Sequence, residues 1–126
     1  MTNTDFWADA DIISTYSRAQ AIEDGELVEV PAGILKNNGV KLPAAMTYRV
    51  WSIIEDKPSY NDLTGRLHDL VWMFSLAARR SVSDQILFQA YMVSGKGRRK
   101  LHTFKAVIGP GDTPDPVIPI MLPDED

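Results

Sequence analysis

The stretch that most restricts what this chain can fold into lies between Asp62 and Arg80. Leu63, Leu67, Leu70, Val71, Phe74, Ala77 and Ala78 recur at three- and four-residue intervals, and Trp72, Met73 and Leu76 widen this apolar face until only a narrow polar strip is left. Asp62 is a natural N-cap, and Arg79 and Arg80 fall in the last turn, where the helix dipole favours cations. A helix apolar most of the way round needs cover on two sides. It is therefore expected to lie centrally, on a sheet and beside another helix, with Trp72 and Phe74 both buried.

The rest of the chain supplies that cover. Ser14 or Thr15 can cap a short helix through Asp24, stopped by Gly25, and Leu27 to Val30 reads as a half-buried edge strand. Pro31 either opens a helical turn or ends that strand, and Gly39 marks a break. From Pro43 to Glu55, Ala44, Tyr48, Val50, Trp51 and Ile54 predict an amphipathic helix ended by Lys57, Pro58 and Ser59. Ile86 to Val93 and Leu101 to Ile108 read as a hairpin across a glycine-containing turn. Gly109 to Asp112 reads as a tight turn rather than a phosphate loop, because strands flank it on both sides. Val117 to Leu122 is a last strand, in which Pro119 demands an edge or a bulge. The expected fold is α+β, a small antiparallel sheet of three to four strands packed against two main helices. Residues 1–13 would form an N-terminal arm carrying Phe6 and Trp7, 14–123 a single domain, and 124–126 an acidic, solubilising tail.

Composition narrows the chemistry. A chain of 126 residues can bury a core of its own, and the absence of cysteine excludes disulfides, thiolate metal sites and a cysteine nucleophile. The apolar run from Leu70 to Ala78 is too short to span a bilayer, and the acid-rich start is the reverse of a signal peptide, so a cytoplasmic protein without a membrane partner is expected. Charge is segregated. Residues 1–30 hold seven acids against Arg18 alone, residues 109–126 hold five acids and no base, and residues 79–108 hold seven bases against Asp84 alone. Either these segments neutralise one another, or the molecule has one basic end that steers towards an acidic partner.

Several blocks resemble a known family. Tyr16 to Gly25 (YSRAQAIEDG), Gly65-Arg66-Leu67 with Asp69 and Trp72-Met73, Lys105-Ala106-Val107 with Gly109 to Asp112, and Pro116-Val117-Ile118 with Ile120 to Pro123 are similar, in order and spacing, to the signature of an uncharacterised bacterial domain-of-unknown-function family. Its members are small proteins of phages, plasmids and integrated elements. The likeness runs from Ser14 to Asp126, with His68 in place of the family's tryptophan and Pro119 in place of its threonine. The resemblance implies a setting rather than a reaction: a mobile-element protein that binds a host or defence component, for example as an inhibitor of a CRISPR or restriction system. It brings no catalytic residue, cofactor or metal with it.

Two groups of residues could carry a function. Tyr16, Ser17, Arg18 and Gln20 crowd the start of the first helix, and Arg66 with Asp69 could complete a pocket there for a nucleotide or other anion, beside Trp72. The alternative is that Arg18 pairs with Asp69 or Glu23. Lys96, Arg98, Arg99 and Lys100 form a basic hairpin tip expected to project into solvent and meet a partner protein. Without stacking aromatics in the turn, and with a pI near 5.1, sequence-specific DNA binding is not expected. His68 and His102 are the only histidines, and neither has a nucleophile placed beside it by the sequence. The expected role is non-enzymatic, with no cofactor.

Overall fold

In the computed structural model, residues 26–110 and 116–125 are described. The segments predicted as the arm and the first helix, and with them Tyr16, Ser17, Arg18 and Gln20, lie outside these residues. The helix with the broad apolar face forms as expected: α3 spans Leu63–Arg80, following β1 (Leu27–Glu29), α1 (Ala32–Asn37), β2 (Ala44–Thr47) and α2 (Tyr48–Glu55). After α3 come β3 (Gln85–Val93), β4 (Arg99–Val107), the two-residue β5 (Gly109–Pro110) and β6 (Pro116–Met121). Asp62 Oδ1 caps α3 by accepting from the Thr64 N–H at 3.3 Å.

The strands run in the order β1-β2-β6-β4-β3, with β5 paired to the start of β6. This corrects the expected antiparallel sheet of three to four strands on two helices. The fold is α+β, but the sheet has five strands in its main path, is mixed, and carries three helices. The discrepancy originates between Pro43 and Glu55. Ala44, Ala45 and Met46 are buried strand residues paired in parallel with β6, and the helix starts only at Tyr48. Thr47 makes the switch: its Oγ1 accepts from the Val50 N–H at 3.3 Å and so caps α2.

Pro119 is also placed differently from expectation, inside the sheet between β2 and β4. The Ile118 N–H donates towards β2, to the Pro43 carbonyl at 2.9 Å, so strand alternation puts the donor that Pro119 lacks on the β4 side. There the β4 ladder pairs only Lys105 with Met121 and Ala106 with Ile120. The proline sits where pairing has already stopped, so it forfeits no ladder bond.

One face of the sheet carries Met46, Ile118, Ile120, Phe104, Ala106, Ile86 and Phe88, all buried. Leu67, Leu70, Val71 and Phe74 of α3 pack on it with Val50 and Ile54 of α2 and Ile34 and Leu35 of α1. Phe74 meets Phe88 edge-on, with ring centroids 5.7 Å apart, and Phe88 stacks at a tilt on Phe104. Trp72 corrects a second expectation. It is 45% exposed, because the sheet lies beneath the Leu70-Val71-Phe74 face and no described element covers the opposite one. Its indole is partly shielded by the Arg79 guanidinium, 5.8 Å from the ring centroid.

Asp124 and Glu125 of the acidic end are tied to the sheet and to α2. Glu125 accepts from Thr47 Oγ1 at 2.9 Å and from the Leu122 N–H at 2.7 Å, Lys105 Nζ donates to its carbonyl at 2.6 Å, and Asp124 pairs with Arg49 at 3.3 Å. No helix among the described residues is long and apolar enough to cross a membrane.

Phe74→Ala is expected to cost about 3–5 kcal/mol through lost transfer energy and the cavity left behind. Trp72→Ala should cost clearly less. Urea denaturation of both variants checks this, and equal losses would contradict the one-sided packing of α3.

Candidate functional site

The ladder contacts explain why the far end of the hairpin needs an anchor. β3 and β4 pair over nine residues each, yet only Lys105 and Ala106 of β4 reach β6. Among the described residues, the half of the hairpin nearest its turn is thus a two-stranded ribbon, and such ribbons are marginal unless one face is packed. Phe88, Ala90 and Met92 give it that face. At its tip the anchor is Arg66.

Arg66 is 5% exposed and turned inward from α3. Its Nε donates to the Ile54 carbonyl at 2.7 Å, its Nη2 to Ile53 and Asp56 at 2.9 and 3.1 Å, and its Nη1 to Val93 at 2.8 Å. The first three acceptors lie at the C-terminus of α2, where backbone carbonyls lack partners within the helix and carry partial negative charge. The fourth ends β3. One guanidinium therefore caps α2 and fastens the ribbon to it. Burial lowers the Arg66 pKa, while the charges of Asp56 and Asp69 oppose that shift; an arginine so placed stays cationic at neutral pH.

The turn is equally fixed. Ser94 N–H donates to the Arg98 carbonyl and Gly97 N–H to the Ser94 carbonyl, each at 2.8 Å, with Gly97 at φ +83°, a conformation costly for other residues. Gly95 N–H donates to Asp56 Oδ1 at 2.9 Å. A Cβ on Gly95 would come within 2.7 Å of that oxygen, so glycine is what lets the carboxylate approach. Lys96, Arg98, Arg99 and Lys100 are all exposed. Arg99 lies over the Tyr91 ring, 4.0 Å from its centroid, on the outer face of the ribbon.

Below the turn, the inward row of β4 changes character. Ala106 and Phe104 are buried, His102 is half-buried beside Phe104, and Lys100 is exposed. His102 and Lys100 line a cavity of about 280 Å³ together with Asp56, Arg66, Ser94 and Arg98. The His102 pKa is lowered by burial, and further by the positive charges of Lys100 and Arg66.

The structure thus brings Arg66 together with Arg98 and Lys100, which the sequence assigned to separate sites, while Asp69, one turn further along α3, acts on Arg66 by its charge but not in the same cavity. Asp69 is exposed and lines a different groove of about 410 Å³, with Trp72, Tyr91 and Leu101. Lys96 and Arg99 stand outside the cavity. His68 is occupied structurally, its Nδ1 3.1 Å from the amide nitrogen of Asn38, which itself donates to the Ile34 carbonyl. Sequence reasoning missed Asp56 altogether and weighed His102 only as a catalytic base. The period-two row Lys100, His102, Phe104, Ala106 was the available signal for the latter.

Compared with known proteins, the chain matches no family model, no curated protein and no solved structure. Its function has to be read from its own residues.

Arg66→Ala strands four carbonyls at once, and with a desolvation cost of about 1–3 kcal/mol for each one left dry, a loss of at least about 3 kcal/mol is expected. Arg66→Lys should recover only part of it, since an ammonium cannot span the same acceptors. Stability near that of the unaltered chain in urea, for Arg66→Ala, would show that the cap is dispensable.

Proposed function

We propose that this chain is a non-enzymatic interaction protein that meets an acidic surface of a host or defence protein with the tip of the β3-β4 hairpin. The observation that carries this reading is the presentation of Lys96, Arg98, Arg99 and Lys100 on an exposed turn that Arg66 and Asp56 hold in one conformation. Exposed bases on a mobile loop would lose conformational entropy on binding. A pinned turn has already lost the backbone share of it, so less of the interaction energy is spent on ordering the chain. Among the described residues the one ion pair is that of Arg49 with Asp124, and the tip bases are not neutralised by it. The setting proposed with it, a mobile-element protein inhibiting a CRISPR or restriction component, is what the resemblance of the sequence blocks implies; no family model reproduces that resemblance.

Replacing Arg98, Arg99 and Lys100 by Ser should slow association by about tenfold or more at low salt and flatten its salt dependence, because charges at an interface rim act mainly by steering. The unfolding midpoint should barely move, since exposed charges contribute little to stability. Both forms would be used to capture partners from a host lysate at low and high salt, and the association kinetics measured on the captured protein. Equal recovery and equal rates would defeat the proposal.

A further inference from the structure

The cavity under the tip has a property that the partner surface does not require. Arg66, Arg98, Lys100 and His102 converge on one space of about 280 Å³, and Asp56 is the one carboxylate among its lining residues. One oxygen of that carboxylate is already engaged by the Gly95 N–H. Of the five N–H groups of Arg66, four are spent on carbonyls, leaving one on Nη1. Ser94 Oγ accepts from the Arg98 N–H at 3.2 Å, which leaves the hydroxyl proton to donate. Holding like charges around a half-enclosed space is unfavourable unless something negative enters it.

We infer that this cavity is a binding site for the phosphoryl group of a small phosphomonoester, held by Lys100, Arg98, Ser94 and the remaining N–H of Arg66, with His102 as a proton-accepting wall. A dianion suits the site because several cations and a hydroxyl can share its three terminal oxygens. The volume sets the size class. It lies just under the roughly 300–1,000 Å³ typical of sites that enclose a drug-sized ligand, so a phosphate head fits while a nucleoside attached to it would remain outside.

The charged groups that face His102 are Lys100 on its own strand, Arg98 in the turn, Arg66 from α3 and Asp56 after α2. Asp69, further along α3, acts on Arg66 but does not line the cavity. Burial first, and then the charges of Lys100 and Arg66, disfavour the imidazolium. A bound dianion offsets that field, so His102 takes up a proton on binding; because a phosphomonoester itself takes up a proton near pH 6, it is the affinity for the dianion, corrected for the ligand's own titration, that rises as pH falls through the histidine range.

The test is an NMR titration of the full chain with inorganic phosphate, adenosine 5′-monophosphate and adenosine, following the His102 ring and the Ser94 and Lys100 amides as a function of pH. Saturable shifts with phosphate at millimolar concentrations, an increase of the His102 pKa by about one unit or more, and a roughly tenfold weakening in Lys100→Gln are expected. Tighter binding of the monophosphate than of phosphate would point to a nucleotide, and equal binding to recognition of the phosphoryl group alone; both support the site. An unmoved His102 pKa, saturable binding of adenosine at the same residues, or unchanged phosphate affinity in Lys100→Gln would overturn it. The inference does not rest on the partner reading. Lys96→Ser with Arg99→Ser alters the tip outside the cavity, so either idea can fail while the other stands.

Discussion

Arg66 is the residue on which this architecture turns. Three parts of the molecule end at the same place: the C-terminus of α2, the last residue of β3 and the first turns of α3. Each of the first two leaves carbonyls without a partner in its own element, and apolar side chains could cover them but not satisfy them. A lysine offers three donors around one point, whereas a guanidinium offers a planar fork wide enough to reach residues of two elements. The cost of burying the charge is offset by four acceptors and by the helix end they belong to. Without that junction the outer half of the hairpin would depend on the packing of Phe88, Ala90 and Met92 and on the bond from Gly95 to Asp56.

The same junction organises the charge. Asp56 lies at the end of α2, where its backbone carbonyl is held by Arg66 and its carboxylate reaches the Gly95 amide. A carboxylate in that position could have paired with a neighbouring base. Its single negative charge, with one oxygen held by the turn, faces the three cations Arg98, Lys100 and Arg66 and cannot compensate them all. The His102 pKa, lowered first by burial, is lowered further by two of these cations, Lys100 and Arg66.

How much of this was legible in the sequence depended on whether the deciding interaction was local. The 62–80 helix was legible because its period, its cap at Asp62 and its cationic end all lie within one segment. The Pro43 to Glu55 segment was misread because Ala44, Ala45 and Met46 fit the start of an apolar helix face as well as a buried parallel strand, and a short apolar run carries no period that separates the two. What decides is β6, more than seventy residues away. Thr47 was the one local clue, an N-capping residue just ahead of Tyr48. Trp72 was misjudged for a related reason: periodicity locates an apolar face but does not count the layers available to cover it.

The candidate site follows the same rule. The four bases of the tip were visible as composition, and their exposure follows from a turn that has no apolar residue to bury. The role of Arg66 was not visible, because its acceptors lie ten to twenty-seven residues away and are backbone carbonyls, which every sequence has. Side-chain types advertise what a residue can do, but a saturated guanidinium and one poised for a ligand look the same in sequence. Here Arg66 is nearly the first and borders the second: four of its donors build the scaffold, and what remains faces a cavity whose other cations come from a turn that the same arginine holds in place. Scaffold and site therefore share one side chain, and a substitution there would remove the geometry before it could report on binding. Lys100 and His102, which line the cavity without carrying that junction, are where binding can be separated from folding.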